Sequence, residues 1–246
     1  MSVDERMVHD IVQKVMANMQ ISGSVSGMHG VFKDMNDAIN ASIEAQKKVC
    51  TMTLDQREQI ISLIRKKTHE NAEILANMGV NETGMGNVGD KILKHHLTAD
   101  KVPGTEDIST IAWSGDRGLT LVEMGPFGVI GAITPATNPS ETVICNCIGM
   151  LAGGNTVVFN PHPNAKKTTI YTINMINEAS IEAGGPDNIA VTVEAPTLDT
   201  SAIMMKHPSI HLLVATGGPG VVTAVLSSGK RAIGAGAGNP PVLVDE

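Results

Sequence analysis

Residues 127–133 are all apolar or glycine, a run too short for a buried helix and punctuated by Gly128 and Gly131. The pattern predicts a strand covered on both faces, as in a parallel sheet. The run ends at Thr134-Pro135, and Asn138-Pro139-Ser140-Glu141 opens a helix with Ser140 as the expected N-cap. Val143, Ile144, Cys147, Ile148 and Leu151 recur at helical spacing, Gly153-Gly154-Asn155 stops the helix, and residues 156–159 begin the next strand. The polar residues of this unit collect in the loop at the strand's C-terminal end, where open α/β sheets bind ligands.

The same alternation runs on to the C-terminal side. Residues 166–183 read as a helix stopped by Gly184-Gly185-Pro186, 189–193 as a strand, 198–205 as a short helix and 211–215 as a buried strand. Thr216-Gly217-Gly218-Pro219-Gly220 leads into a helix reaching Ser228, and residues 232–234 and 242–244 are expected to be the last strands. Upstream, the chain becomes helical from Val31. Asp34 caps a helix bearing Met35, Ala38 and Ile39. Thr53 to Gln56 forms a capping box, with Ile60, Ile61, Ile64, Thr68 and Leu75 as the buried face. A helix around residues 91–97 carries His95 and His96, which point about 100° apart and are expected to be solvated or capping rather than a metal pair. Residues 113–124 read as a hairpin. Repeated strand–helix units with continuous apolar strands define the fold class: α/β, a Rossmann-like doubly wound parallel sheet with N-terminal helices and a β-hairpin.

The N-terminal stretch differs. Ser2-Val3-Asp4-Glu5 is a capping box, and Met7, Val8, Ile11, Val12, Val15, Met16 and Met19 form one apolar stripe. A small-residue linker follows. A short amphipathic helix of this kind needs either a partner groove or a place on its own body.

Composition narrows the classes. Of 246 residues 42% are hydrophobic and only 2% aromatic, so the core is aliphatic and thioether. A formal charge of −7 without a basic run argues against nucleic acid as a partner, and no apolar window approaches a membrane span. Three cysteines, Cys50, Cys145 and Cys147, give no disulfide framework and fit a reducing compartment. A soluble intracellular protein is expected.

Three Gly- or Pro-rich loops follow strands: Thr134-Pro135-Ala136-Thr137-Asn138, Asn160-Pro161-His162-Pro163 and Thr216-Gly217-Gly218-Pro219-Gly220. The last can be an ordinary tight turn or a cradle that brings a phosphate to a helix N-terminus. Together the three favour a dinucleotide site.

These motifs carry a resemblance. The run from Gly125 to Pro139, the later Gly154-Asn155-Thr156-Val157-Val158 and Pro161-His162-Pro163 resemble the aldehyde dehydrogenase superfamily. The stretches 82–86, 215–220 and 234–240 resemble its coenzyme-A-acylating branch, and most of all the acetaldehyde and propionaldehyde dehydrogenases of bacterial ethanolamine or propanediol microcompartments. The resemblance implies reversible oxidation of a small aldehyde with CoA and NAD to an acyl-CoA and NADH, through a cysteine thioester. It implies that Asn138 steadies the oxyanion by its amide. Thr134, Pro135, Ala136 and Thr137 would lie along the nicotinamide half of NAD. Gly217, Gly218, Pro219 and Gly220 would lie near its phosphates, and Thr216, Gly234, Ala235 and Gly236 would be further cofactor-binding residues. His162 and Pro163 would lie near the adenosine. Asn160 stands where hydrolytic relatives carry a lysine that touches the adenine ribose. Those relatives also have a glutamate base where this chain has Ala235, which favours thiolysis over hydrolysis.

On the same resemblance the nucleophilic cysteine lies beyond Asn239 in a catalytic domain absent here, so the chain alone is expected to be inactive. The implied organisation is an amphipathic targeting helix at 1–20, a flexible linker at 21–29 and, over 30–246, the NAD-binding domain with part of the oligomerisation hairpin. Residues 2–19 would engage a microcompartment shell or cargo protein, placing the enzyme in the cytoplasm within that compartment, and the full-length form would be a homo-oligomer. Cys145 and Cys147 sit on an apolar helix, where a thiol is inert filler, and Cys50 reads as a surface thiol. Two alternatives stay open: a catalytically silent NAD-binding or assembly module tethered to a shell, and a cousin that reduces acyl phosphates.

Overall fold

The computed structural model describes residues 27–238 and 241–245, so the amphipathic helix expected at the N-terminus lies outside the described residues. In chain order the elements are β1 (Val31–Phe32), α1 (Met35–Val49), α2 (Leu54–Glu70), α3 (Ala72–Thr83), α4 (Val88–Lys101), β2 (Ile111–Gly115) and β3 (Gly118–Val122). There follow β4 (Val129–Thr134), α5 (Pro139–Ala152), β5 (Thr156–Pro161), α6 (Lys166–Glu182), β6 (Ala190–Val193), α7 (Leu198–Lys206), β7 (Ile210–Thr216), α8 (Pro219–Leu226) and β8 (Arg231–Ala235).

Six strands form one parallel sheet in the order β1-β6-β5-β4-β7-β8. The chain moves outward from β4 through β5 to β6, then returns past them to lay β7 on the other side of β4. The β4/β7 boundary is therefore a topological switch point, the position at which open α/β sheets bind ligands. Successive residues of a strand face opposite layers. On β5, Val157 and Phe159 join Ile60, Ile61, Ile144, Ile148 and Ile176 under α2, α5 and α6, while Val158 joins Met35, Ile39, Met204 and Leu213 under α1, α7 and α8. Burial on both faces explains the unbroken apolar runs of β4 and β5.

Long polar side chains set the angles between helices. Glu82, at the end of α3, accepts from the backbone N–H groups of Lys167 (2.7 Å) and Thr168 (2.8 Å) and from Thr168 Oγ1 (2.7 Å). It thereby caps α6, which has no side-chain cap of its own, and a carboxylate there also complements the helix dipole.

The doubly wound parallel sheet and the hairpin are present as expected, with five corrections to the elements. Val31 and Phe32 do not start a helix but pair with Thr192 and Val193. The Ile60–Leu75 face is split at Asn71, whose Nδ2 donates back to the Lys67 carbonyl and whose Oδ1 receives the Tyr171 hydroxyl; apolar spacing carries no trace of that hinge. Helix α5 takes Asn138 as its N-cap residue and Pro139 at its first position, so Ser140 is not the cap. Residues 242–244 form no strand and are almost wholly exposed, because no described strand pairs with them. His95 is fully buried rather than solvated.

The hairpin stands off the body with every strand residue exposed, including Trp113 and Leu121. A shallow, open concavity is formed by hairpin residues alone, among them Trp113, Arg117 and Leu119.

Candidate functional site

All three sequence-predicted loops emerge at the C-terminal edge of the sheet from neighbouring strands. Thr134, last in β4, is in register with Pro161, and the His162 N–H donates to the Thr134 carbonyl (3.1 Å). Across the switch point Ile133 is in register with Ala215. One strand further, Thr216 faces Ala235, and the Gly217 N–H donates to the Ala235 carbonyl (3.1 Å). The residues 134–138, 160–163, 216–220 and 234–236 thus line one continuous rim.

Each rim residue has a distinct local situation. Thr134 is buried, yet its Oγ1 has no hydrogen-bond partner among the described residues. Pro135 and Ala136 are half-buried and Thr137 is exposed. A Cβ built on Gly217, Gly218 or Gly220 meets nothing within 4 Å. Their lack of side chains therefore answers no crowding inside the protein and leaves bare backbone at the start of α8, with Pro219 in its first turn. Gly234 is different: a Cβ there would sit 2.7 Å from Val222 Cγ1, so this glycine lets α8 approach β8. Ala235 and Gly236 are exposed.

Asn160 does not present a free side chain to a ribose. Its Oδ1 accepts from Thr200 Oγ1 (2.7 Å) and its Nδ2 donates to the Thr197 carbonyl (3.4 Å), locking the capping turn of α7. His162 and Pro163 are exposed, with His162 Nδ1 accepting from the Asn164 N–H.

Asn138 stands at the junction of loop and helix. It begins α5, its carbonyl accepts from Thr142 N (3.1 Å) and Thr142 Oγ1 (2.6 Å), and its side chain is not spent on capping. Two lysines that sequence reasoning did not single out reach this stretch from α4. Lys91 Nζ donates to the Thr137 carbonyl (3.0 Å) and to Glu141 Oε1 (3.3 Å), and Lys94 Nζ donates to Asn138 Oδ1 (3.4 Å).

Beneath them lies a polar cluster. His95 Nδ1 donates to the Lys91 carbonyl (2.7 Å), and its Nε2 lies 2.7 Å from Ser140 Oγ, which is also 3.1 Å from Glu141 Oε2. Burial pushes the His95 pKa down, against the pull of Glu141. The neutral ring can accept at Nε2, so the single Ser140 hydroxyl proton is shared between His95 Nε2 and Glu141 Oε2. The signal was present but inverted: Lys91, His95 and Thr98 form the buried stripe of α4 while Leu93 and Leu97 are 67% and 59% exposed. Assigning the apolar residues to the inside puts these histidines outside. His96 is half-buried and stacks on His69.

Neither thiol of α5 is an activated nucleophile. Cys147 is buried on α5, and desolvation pushes its pKa up to about 12. Desolvation also raises that of Cys145. Cys50 is exposed at the end of α1 and receives a contact from Gln46 Nε2 (3.0 Å), a side chain that also bonds the Gly154 carbonyl and the Thr156 N–H at the start of β5, the strand end opposite the rim. Among the described residues no group of three metal-ligating side chains converges, and no helix is long and apolar enough to cross a membrane.

Comparison with known proteins shows the family. The model of the aldehyde dehydrogenase family matches residues 17–246. The acetylating acetaldehyde dehydrogenase of Bilophila wadsworthia is 46% identical over 252 residues, covering 98% of this chain and 52% of that one. A propionaldehyde dehydrogenase from the fucose utilisation bacterial microcompartment of Clostridium phytofermentans is 74% identical with a TM-score of 0.85, covering 87% of this chain and 49% of its own. The Rhodopseudomonas palustris propionaldehyde dehydrogenase, solved with bound CoA and an acylated cysteine, is 50% identical with a TM-score of 0.84, covering 86% and 49%. The chain spans about half the length of the curated relatives it matches.

Proposed function

The chain belongs to the aldehyde dehydrogenase family, and from that premise we propose that it forms the cofactor-binding part of a CoA-acylating aldehyde dehydrogenase. The reaction is the reversible conversion of a small aldehyde, CoA and NAD to an acyl-CoA, NADH and a proton. The observation that carries the reading is the rim itself: an Asn138 amide that is not spent on capping its helix and the glycine-rich 217–220 backbone flank one switch point.

NAD supplies the hydride acceptor when bound. The chain's own residues bind and orient. Thr134 to Thr137 border the nicotinamide half, and the unpartnered Thr134 hydroxyl is a buried polar group that a ligand would satisfy. Gly217, Gly218 and Gly220 admit the phosphates to the N-terminus of α8. The Asn138 Nδ2 group donates to the oxygen that gains charge when a thiol adds to the aldehyde, a contribution of roughly 3–4 kcal/mol where such donors have been removed in other enzymes. Ala235 offers no general base for water, which leaves the CoA thiol as acyl acceptor. The nucleophilic thiol is none of Cys50, Cys145 and Cys147.

NAD is read as the cofactor, with NADP as the competing ligand of the same site; Asn160, bonded to Thr200 and Thr197, presents no free amide to a ribose. Residues 2–19 are read as the segment that engages a shell or cargo protein within a bacterial microcompartment, a reading supported by the microcompartment origin of one structural relative. Deletion of residues 1–27 then abolishes packaging and leaves nucleotide binding intact; loss of both refutes it. A second reading, a catalytically silent binding module, is favoured by the absence of an activated thiol on α5.

Calorimetric titration with NAD and NADP, beside acyl-CoA-dependent NADH oxidation, tests the proposal. Binding that is lost in a folded Gly218→Val supports it, because a Cβ at this position meets nothing in the protein within 4 Å and the added side chain bears on a ligand at the loop. Binding unaffected by Gly218→Val contradicts it.

A further inference from the structure

Helix α4 sends two cations to consecutive residues of the rim. Lys91 and Lys94 are three residues apart and so share one face of the helix. Lys91 Nζ meets the Thr137 carbonyl at 3.0 Å and Lys94 Nζ meets Asn138 Oδ1 at 3.4 Å. A lysine ammonium has donors only, so Lys94 can address only the oxygen end of the Asn138 amide. That contact turns Nδ2 away from α4. The cation on Oδ1 also draws electron density from the amide and makes its N–H groups stronger donors. Lys91 acts one residue earlier, on the peptide that sets the direction of the Asn138 backbone. It is held in place by Glu141 of α5, with both side chains nearly inaccessible (4% and 8% exposed). His95 and Ser140 complete the packing around that pair.

We propose that Lys91 and Lys94 are positioning residues that clamp the Thr137-Asn138 unit and aim the Asn138 Nδ2 donor at the reacting aldehyde oxygen. The aim of the donor rests on the functional reading of Asn138 above; the clamp itself does not. Neither lysine touches the substrate. Their effect is confined to one amide, so it is read in kcat and not in the binding of the dinucleotide.

The experiment has two arms. In the chain itself, the side-chain amide of Asn138 is followed by ¹H–¹⁵N NMR, its signal assigned by loss in Asn138→Asp. Lys94 is exposed, so Lys94→Met leaves the fold intact, which the backbone signals of α4 and α5 verify. The Asn138 amide signals shift and exchange with solvent several-fold faster in Lys94→Met, and return towards wild type in Lys94→Arg. For Lys91 the paired change Lys91→Met with Glu141→Leu leaves no lone buried charge, and produces the same loosening. In the acylating enzyme that contains this chain, Lys94→Met lowers kcat about tenfold, less than outright loss of an oxyanion donor, with KM for NAD unchanged and partial recovery in Lys94→Arg.

An Asn138 amide that does not respond to Lys94→Met overturns the clamp. An amide that responds while kcat stays at the wild-type value overturns its role in aiming the donor. A wild-type enzyme with no aldehyde-dependent turnover refutes the functional reading and with it the aiming of the donor, and the NMR arm still decides the clamp.

Discussion

Lys91→Met removes the cation from a pair whose members are each more than nine-tenths buried. In the wild type Glu141 Oε1 faces Lys91 Nζ at 3.3 Å, and Oε2 has only Ser140 Oγ, at 3.1 Å, a group whose single proton is shared with His95. Without Lys91 the carboxylate is left in a low-dielectric pocket with at most half a hydrogen bond, and the Thr137 carbonyl loses its donor as well. Breaking a buried pair in this way costs about 3–5 kcal/mol, a large share of the ~5–15 kcal/mol that holds a domain together. Removing both charges has a different consequence. In Lys91→Met with Glu141→Leu the desolvation penalty disappears along with the attraction, and the net change is within about 1–2 kcal/mol of zero. The assay is urea unfolding followed by far-ultraviolet circular dichroism, because Trp113 is exposed on the hairpin and its fluorescence reports poorly on the core. The single change should lower the midpoint far more than the double. A single change costing less than about 1 kcal/mol would refute the reasoning, since it would mean that water or another cation reaches Glu141.

Three further outcomes are expected. His95 is held neutral because burial lowers its pKa, so the folded state resists protonation. Stability is fully present above the ordinary histidine value near pH 6.5 and is lost as pH falls from there through the lowered folded value, by up to about 1.4 kcal/mol per pH unit; His95→Gln should flatten that part of the wild-type profile in urea titrations. Thiol labelling with a disulfide reagent should be fast at Cys50, slow at Cys145 and absent at Cys147 until the protein unfolds, since only Cys50 is exposed and the Cys147 pKa is pushed up to about 12. Gly30→Ala should cost about 3 kcal/mol or more in chemical denaturation, because φ is +76° and the new Cβ would lie 2.3 Å from Asn177 Nδ2 and 2.4 Å from the Ala190 carbonyl, the two ends of an existing hydrogen bond.

How far the chain can be read without coordinates depends on what each residue is doing. The β4-α5-β5 unit is legible because burial on both faces forces continuous apolar runs, and the connecting turns are written in glycine and proline. The rim loops are legible for the same reason. Strand β1 is not, since two residues carry no period, and neither is the hinge at Asn71, which depends on a hydroxyl from Tyr171 a hundred positions away. The 242–244 run has the composition of a strand, but a strand needs a neighbour, and none of the described strands provides one. The lysines that hold Asn138 escape notice because lysine is most often solvated. Only the coordinates show that Lys91 points inward and meets Glu141, fifty residues along the chain.

The central claim, that this chain builds a dinucleotide site on the β4/β7 rim, is tested most directly by calorimetric titration of wild type and Gly218→Val with NAD. Saturable binding to the wild type and none to the folded variant is the expected result. Equal binding by both, or none by either in a folded protein, would contradict it.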